Sequence, residues 1–164
     1  MLGTLIGLAP TAPSNGMPNG VVVYKNGYFI TLEFSGKFPI GVFTGDLVLR
    51  ILWTSTTCSG NGYLWDNNGH GGIVMGTKIV IYSGQTNSLY VPSGAGASAT
   101  STLAPGFQSL EFTGAVDGSS SCQPNSGLIS SGSGWLLSPI NASTALGWSV
   151  SGNPLGVAGP IKFQ

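Results

Sequence analysis

The densest run of side chains able to bind or react is Trp65-Asp66-Asn67-Asn68-Gly69-His70-Gly71. Asp66, Asn68 and His70 alternate as the first donors of a calcium loop do, and Trp65 offers a flat face for a sugar ring. The functional reading is a cation or sugar site. The likeness to a calcium loop stops at its twelfth position, which is Thr77 where a bidentate Glu is required. The structural reading is a hairpin turn, with Asp and Asn bonding to local backbone and Gly permitting the bend. It is the better-supported of the two because that turn chemistry is so common. Trp135 also flanks a loop and is the second candidate for a sugar platform. Trp53 and Trp148 lie inside apolar runs and are expected in the core.

Catalysis has little else to draw on. His70 is the single histidine. No G-x-S-x-G elbow, no phosphate loop and no G-x-G-x-x-G occurs. Two cysteines and one histidine cannot complete a four-ligand zinc site without carboxylates. Five acids could in principle supply a glycosidase pair, but nothing in the sequence nominates one. No catalytic residue, cofactor or metal is therefore expected.

Cys58 (TSTTCSGNG) and Cys122 (GSSSCQPN) sit in polar, turn-like segments, whereas unpaired structural cysteines favour apolar surroundings. A bridge between two loops is the favoured reading; two free thiols in a reducing compartment are the rival. Asn141-Ala142-Ser143 is an N-glycosylation acceptor triplet, informative only if the source modifies such sites.

Charge bounds the partners. The 164 residues carry five basic and five acidic side chains, 6% of the chain, with zero net charge. A typical soluble domain has about 25% charged residues. The basic residues, Lys25, Lys37, Arg50, Lys78 and Lys162, form no cluster. Phosphate neutralisation and polybasic membrane binding both require one, so neither nucleic acid nor a charged membrane surface is an expected partner. A monomer normally keeps itself apart by mixed charge and a net charge of several units. Here either other copies cover much of the surface, or a neutral surface of hydroxyls and amides serves outside a cell or on a particle. The opening MLGTLIGL is too short and too soon followed by Pro10 for a standard secretory signal or a membrane span.

The elements that must position these residues are strands. Gly, Pro or Ser/Thr interrupts nearly every helix-length window. Val21 to Lys25 and Tyr28 to Phe34 flank Asn26-Gly27, the strongest short hairpin signal. Further strands are expected at Leu47 to Thr54, Ile73 to Tyr82, Leu89 to Pro92, Phe107 to Thr113, Trp135 to Leu137, Leu146 to Ser151 and Ile161 to Phe163. Leu32-Glu33-Phe34-Ser35-Gly36 is echoed by Leu110-Glu111-Phe112-Thr113-Gly114, which reads as coincidence between strand-like segments. Residues 93 to 106 and 114 to 134 show no strand pattern.

The fold expected is all-β: a single antiparallel β-sandwich or jelly-roll-like domain over residues 21–164, with about eight short strands. Residues 1–20 read as an extended N-terminal arm. Pro10, Pro13 and Pro18 resist regular structure, and Leu2, Leu5, Ile6 and Leu8 are apolar and uncharged. Such an arm would dock on a neighbouring subunit. The expected function is a non-catalytic structural protein of a symmetric extracellular assembly, such as a minor capsid, decoration or cement protein at a virus particle surface. Its partners would be copies of itself or other particle subunits. The alternative is a carbohydrate-binding or adhesin domain, with a glycan as ligand.

Overall fold

A computed structural model describes residues 3–9, 20–38, 43–44, 47–48, 50–65, 78–93, 102–103, 106–113, 120–124, 133–152 and 155–157. Its strands pair into antiparallel ladders. The hairpin read at Asn26-Gly27 joins β2 (Gly20–Lys25) to β3 (Tyr28–Glu33), with Lys25 opposite Tyr28. Asn26 and Gly27 take φ of 52° and 87°, the two positive values that a two-residue turn of this hand requires. Alternation sends Val21, Val23, Ile30 and Leu32 into the interior.

The expectation that residues 1–20 stay clear of their own domain needs correction. Thr4–Ala9 forms β1 and pairs antiparallel with β2, interrupted by a bulge between Leu5 and Gly7. The three prolines all follow Ala9, so nothing in residues 4–9 prevents a ladder. β1 is the edge of a three-stranded sheet in the order β1-β2-β3.

The larger sheet runs β12 (Ser120–Pro124), β11 (Ser109–Thr113), β6 (Arg50–Trp53), β7 (Gly62–Trp65), β13 (Ser133–Ile140), β9 (Ser88–Pro92), β8 (Ile81–Ser83). It curls as a half-barrel. Thr102–Leu103, strand β10, pairs with the start of β13. Two short ladders complete the described strands: β4 (Phe43–Thr44) with β5 (Leu47–Val48), and β14 (Val150–Ser151) with β15 (Gly156–Val157). The segment ahead of β8 joins the two larger sheets. The Phe29 N–H donates to the Lys78 carbonyl and the Val80 N–H to the Phe29 carbonyl, each at 2.9 Å.

β8 and β9 therefore lie between two cores, and their alternation feeds both. Tyr82 and Leu89 join Val21, Val23, Ile30, Leu32, Leu146 and Trp148. Ile81 and Tyr90 join Ile51, Trp53, Leu64, Trp135 and Leu137. A third cluster of Leu52, Tyr63 and Leu110 covers the opposite face of the large sheet.

Three further expectations are revised. Leu146 to Ser151 is not one strand: Leu146 ends a short helix, α1 (Ala142–Leu146), and only Val150–Ser151 is extended. Asn141 caps α1 through Oδ1, which accepts the Thr144 N–H at 3.1 Å, and Gly147 ends it at φ 64°. Ala142 and Leu146 share its buried face, and full burial of Leu146 contributes about 1.5–3 kcal/mol. Within the Ser-rich stretch 114–134, Ser120–Pro124 is a strand and β13 begins at Ser133. Within 93–106, Thr102 and Leu103 are extended. The expected strand at Ile161 to Phe163 and the first half of the one at Ile73 to Tyr82 lie outside the described residues.

Candidate functional site

The polar chemistry of the interior is concentrated on one face of β11. Ser109 and Glu111, two residues apart, point to the same side as Trp53 and Ile51 of β6, and both are fully buried. Ser109 holds the loop after β6. Its Oγ donates to the Ser55 carbonyl at 2.6 Å and accepts the Cys58 N–H at 3.0 Å. Cys58 takes φ 47° there and is disulfide-bonded to Cys122 of β12, with Cα atoms 5.8 Å apart. Cys122 stands directly opposite Glu111 in the β11–β12 ladder, so the bridge closes over this face.

Glu111 holds a second connection. Oε2 accepts the Trp53 indole N–H at 3.1 Å and the Ser83 hydroxyl at 2.8 Å, and Oε1 accepts the Gln85 N–H at 3.2 Å. One carboxyl thus ties β6, β11 and the turn between β8 and β9. Burial pushes its pKa above the ordinary glutamate value; donation from Ser83, the Gln85 N–H, Trp53 and the Gly84 N–H pulls it partly back. Having no exposed surface, the carboxyl presents no face to a substrate, and its chemistry is that of an internal clamp. The same carboxylate raises the pKa of Tyr82, whose largest cause is burial, with the Leu155 backbone bond opposing.

Sequence reasoning passed over Glu111. Its signal was an acid between Leu110 and Phe112, which on alternation alone reads as the solvent face of a half-buried strand. The echoed Glu33 takes that milder role: half-buried, it accepts the Ser35 hydroxyl at 3.0 Å.

The sequence-nominated sugar residues do not assemble into a platform among the described residues. Trp135 is 5% exposed and packs in the core with Ile51, Trp53 and Leu64, which corrects its reading as a stacking surface. The reason is alternation along β13: Trp135 and Leu137 point inward, and Leu136 between them is 38% exposed. The Trp65 backbone ends β7, while its side chain and the residues Asp66, Asn68 and His70 lie outside the described residues. Trp53 and Trp148 are both buried. Of the apolar arm residues, Leu5 is 50% and Ile6 55% exposed. Leu2 and the Leu8 side chain lie outside the described residues.

Two surface features remain. Among the described residues, four of the five exposed large hydrophobics, Leu5, Ile6, Tyr24 and Phe34, belong to the three-stranded sheet or the turn that follows it. An open groove of about 430 Å³ lies where β9, the end of β13, α1 and β14 meet; Asn87, Leu89, Asn141, Ser143, Trp148 and Leu155 are among its lining. Among the described residues, no three His, Cys, Asp or Glu side chains gather as metal ligands, and no helix is long and apolar enough to cross a membrane. In comparisons with known proteins, no family model, no curated protein and no solved structure matched this chain.

Proposed function

We propose that this protein is a non-catalytic structural subunit of a symmetric extracellular assembly, acting as a minor capsid, decoration or cement protein of a virus particle. The arrangement inferred for the whole domain is jelly-roll-like closure of its two main sheets. The observation that carries the assembly reading is the collection of exposed apolar side chains on the three-stranded sheet, with β1 at its edge. An edge strand offers unpaired backbone groups to a neighbour, and soluble proteins usually guard it with charge. No charged residue precedes Lys25. Lys25 itself reaches inward, with Nζ 5.6 Å from the Trp148 ring centroid, and Glu33 is engaged by Ser35. A surface of this kind repels no second copy, and the zero net charge of the chain adds no long-range repulsion. The Cys58–Cys122 bridge is compatible with an extracellular site.

Sedimentation tests the reading. The intact protein should form discrete symmetric oligomers, and the double variant Leu5→Ser, Ile6→Ser should sediment as a folded monomer. An intact protein that stays monomeric at every concentration and also fails to attach to particles from its source would overturn it.

A further inference from the structure

We propose that Asn141 is a modification site: the acceptor of an N-linked glycan. The proposal stands apart from the assembly reading. Asn141-Ala142-Ser143 is the only Asn-x-Ser/Thr triplet in the chain with a residue other than proline in the middle, so any such modification falls here. Three structural observations turn the triplet into a site. First, Asn141 and Ser143 are both exposed, and Asn141 is extended at φ −88° and ψ 116° between the end of β13 and the start of α1. Acceptor and hydroxyl are thus presented together at a surface turn. Second, the two ends of the Asn141 amide do different work. Oδ1 accepts the Thr144 N–H and caps α1. Glycosylation consumes a proton of Nδ2 and leaves Oδ1 an acceptor, so the helix cap survives the modification. Third, the groove beside Asn141, bordered by Asn87, Ser88 and Ser149, leaves open space for the first sugar. The disulfide adds a matching condition, because bridges form in the same oxidising compartments through which glycosylated proteins pass.

The reaction requires a lipid-pyrophosphate-linked oligosaccharide and its membrane transferase. Nδ2 attacks the anomeric carbon, the Nδ2–C1 bond forms, and the C1–O bond to phosphate breaks. The lipid pyrophosphate leaves with the electron pair, and the displaced Nδ2 proton passes to a base. No oxidant or reductant takes part.

Mass spectrometry of protein from its native source provides the test. The proteolytic peptide spanning Asn141 should carry a hexosamine-containing mass that a peptide-N-glycosidase removes. Unmodified Asn141 in molecules whose Cys58–Cys122 bridge is closed would overturn the proposal. Two variants secreted from eukaryotic cells separate acceptor from cap. Ser143→Ala and Asn141→Asp should both lose the glycan entirely, and a glycan retained on either would overturn the assignment. Asn141→Asp, whose carboxylate can still accept the Thr144 N–H, should melt with Ser143→Ala, which also lacks the glycan but keeps the Asn141 amide. A clear drop below it would show that the amide itself is needed and that the division of labour between Oδ1 and Nδ2 is wrong.

Discussion

The indole N–H of Trp53 donates to Oε2 of Glu111 at 3.1 Å across the β6–β11 pair, between residues 58 positions apart in the chain. The two are diagonal neighbours on one sheet face, since Trp53 stands opposite Ser109 and Ile51 opposite Glu111. The Ser83 hydroxyl at the end of β8 and the Gln85 N–H in the β8–β9 turn donate to the same carboxylate. A buried acceptor with this many donors is costly to remove, because each stranded donor loses water without gaining a partner.

Glu111→Ala should therefore destabilise the fold by about 2–5 kcal/mol, combining lost packing with stranded donors. Chemical denaturation of the variant against the parent measures it. A difference below about 0.5 kcal/mol, the size of an ordinary surface substitution, would show that the clamp is dispensable.

The pH dependence has a definite sign. Burial raises the Glu111 pKa in the folded state, so the folded protein holds this proton more tightly than the unfolded chain. The associated stability is fully present below the ordinary glutamate value of about 4.3 and is lost as pH rises through the folded value. Glu111→Gln has the same shape and does not titrate. Its melting temperature should gain on that of the parent as pH climbs from about 4. A parent that gains on the variant over that range would mean that the four donors outweigh burial and hold the carboxyl low.

Closing Cys58 to Cys122 joins residues 64 apart, worth about 4 kcal/mol in the chain-entropy account. Alkylation without reductant should label neither cysteine, and reduction should lower the melting temperature markedly. Labelling of both in native material would remove the bridge.

At Gly27 a Cβ would meet nothing within 4 Å, but φ is +87°. Gly27→Val should cost about 1–3 kcal/mol through backbone strain alone, and Gly27→Asn should cost less, because Asn tolerates positive φ. Equal melting temperatures for Val and Gly at this position would contradict the turn geometry.

β1 pairs with β2 from Gly20 to Tyr24, so deleting residues 1–9 strips a ladder and uncovers the edge of the Val21–Val23 core. The truncated chain should melt at a lower temperature than Leu5→Ser, Ile6→Ser, in which the backbone ladder is kept. A truncation that melts with the full chain would show that β1 contributes nothing to its own domain.

What the sequence determined was local. Asn26-Gly27 between two β-branched and aromatic runs dictated the first hairpin, since few other residues accept its φ values. The polar surroundings of Cys58 and Cys122 pointed to a bridge between two loops. The helix α1 between Asn141 and Gly147 was not legible, because five residues are too few to show a period, and Leu146 to Ser151 read as a strand instead. Tertiary structure alone decided the rest. Trp135 beside a Ser-rich loop became core because its alternation phase along β13 faces Trp53, which no local pattern records. Ser120–Pro124 became a strand because β11 and the bond to Cys58 hold it, not because serine favours one. The same Leu-Glu-Phe occurs at 32–34 and 110–112, yet only Glu111 is sealed from water. Burial is set by what lies across the sheet, and in an antiparallel fold that neighbour is supplied by chain tens of residues away.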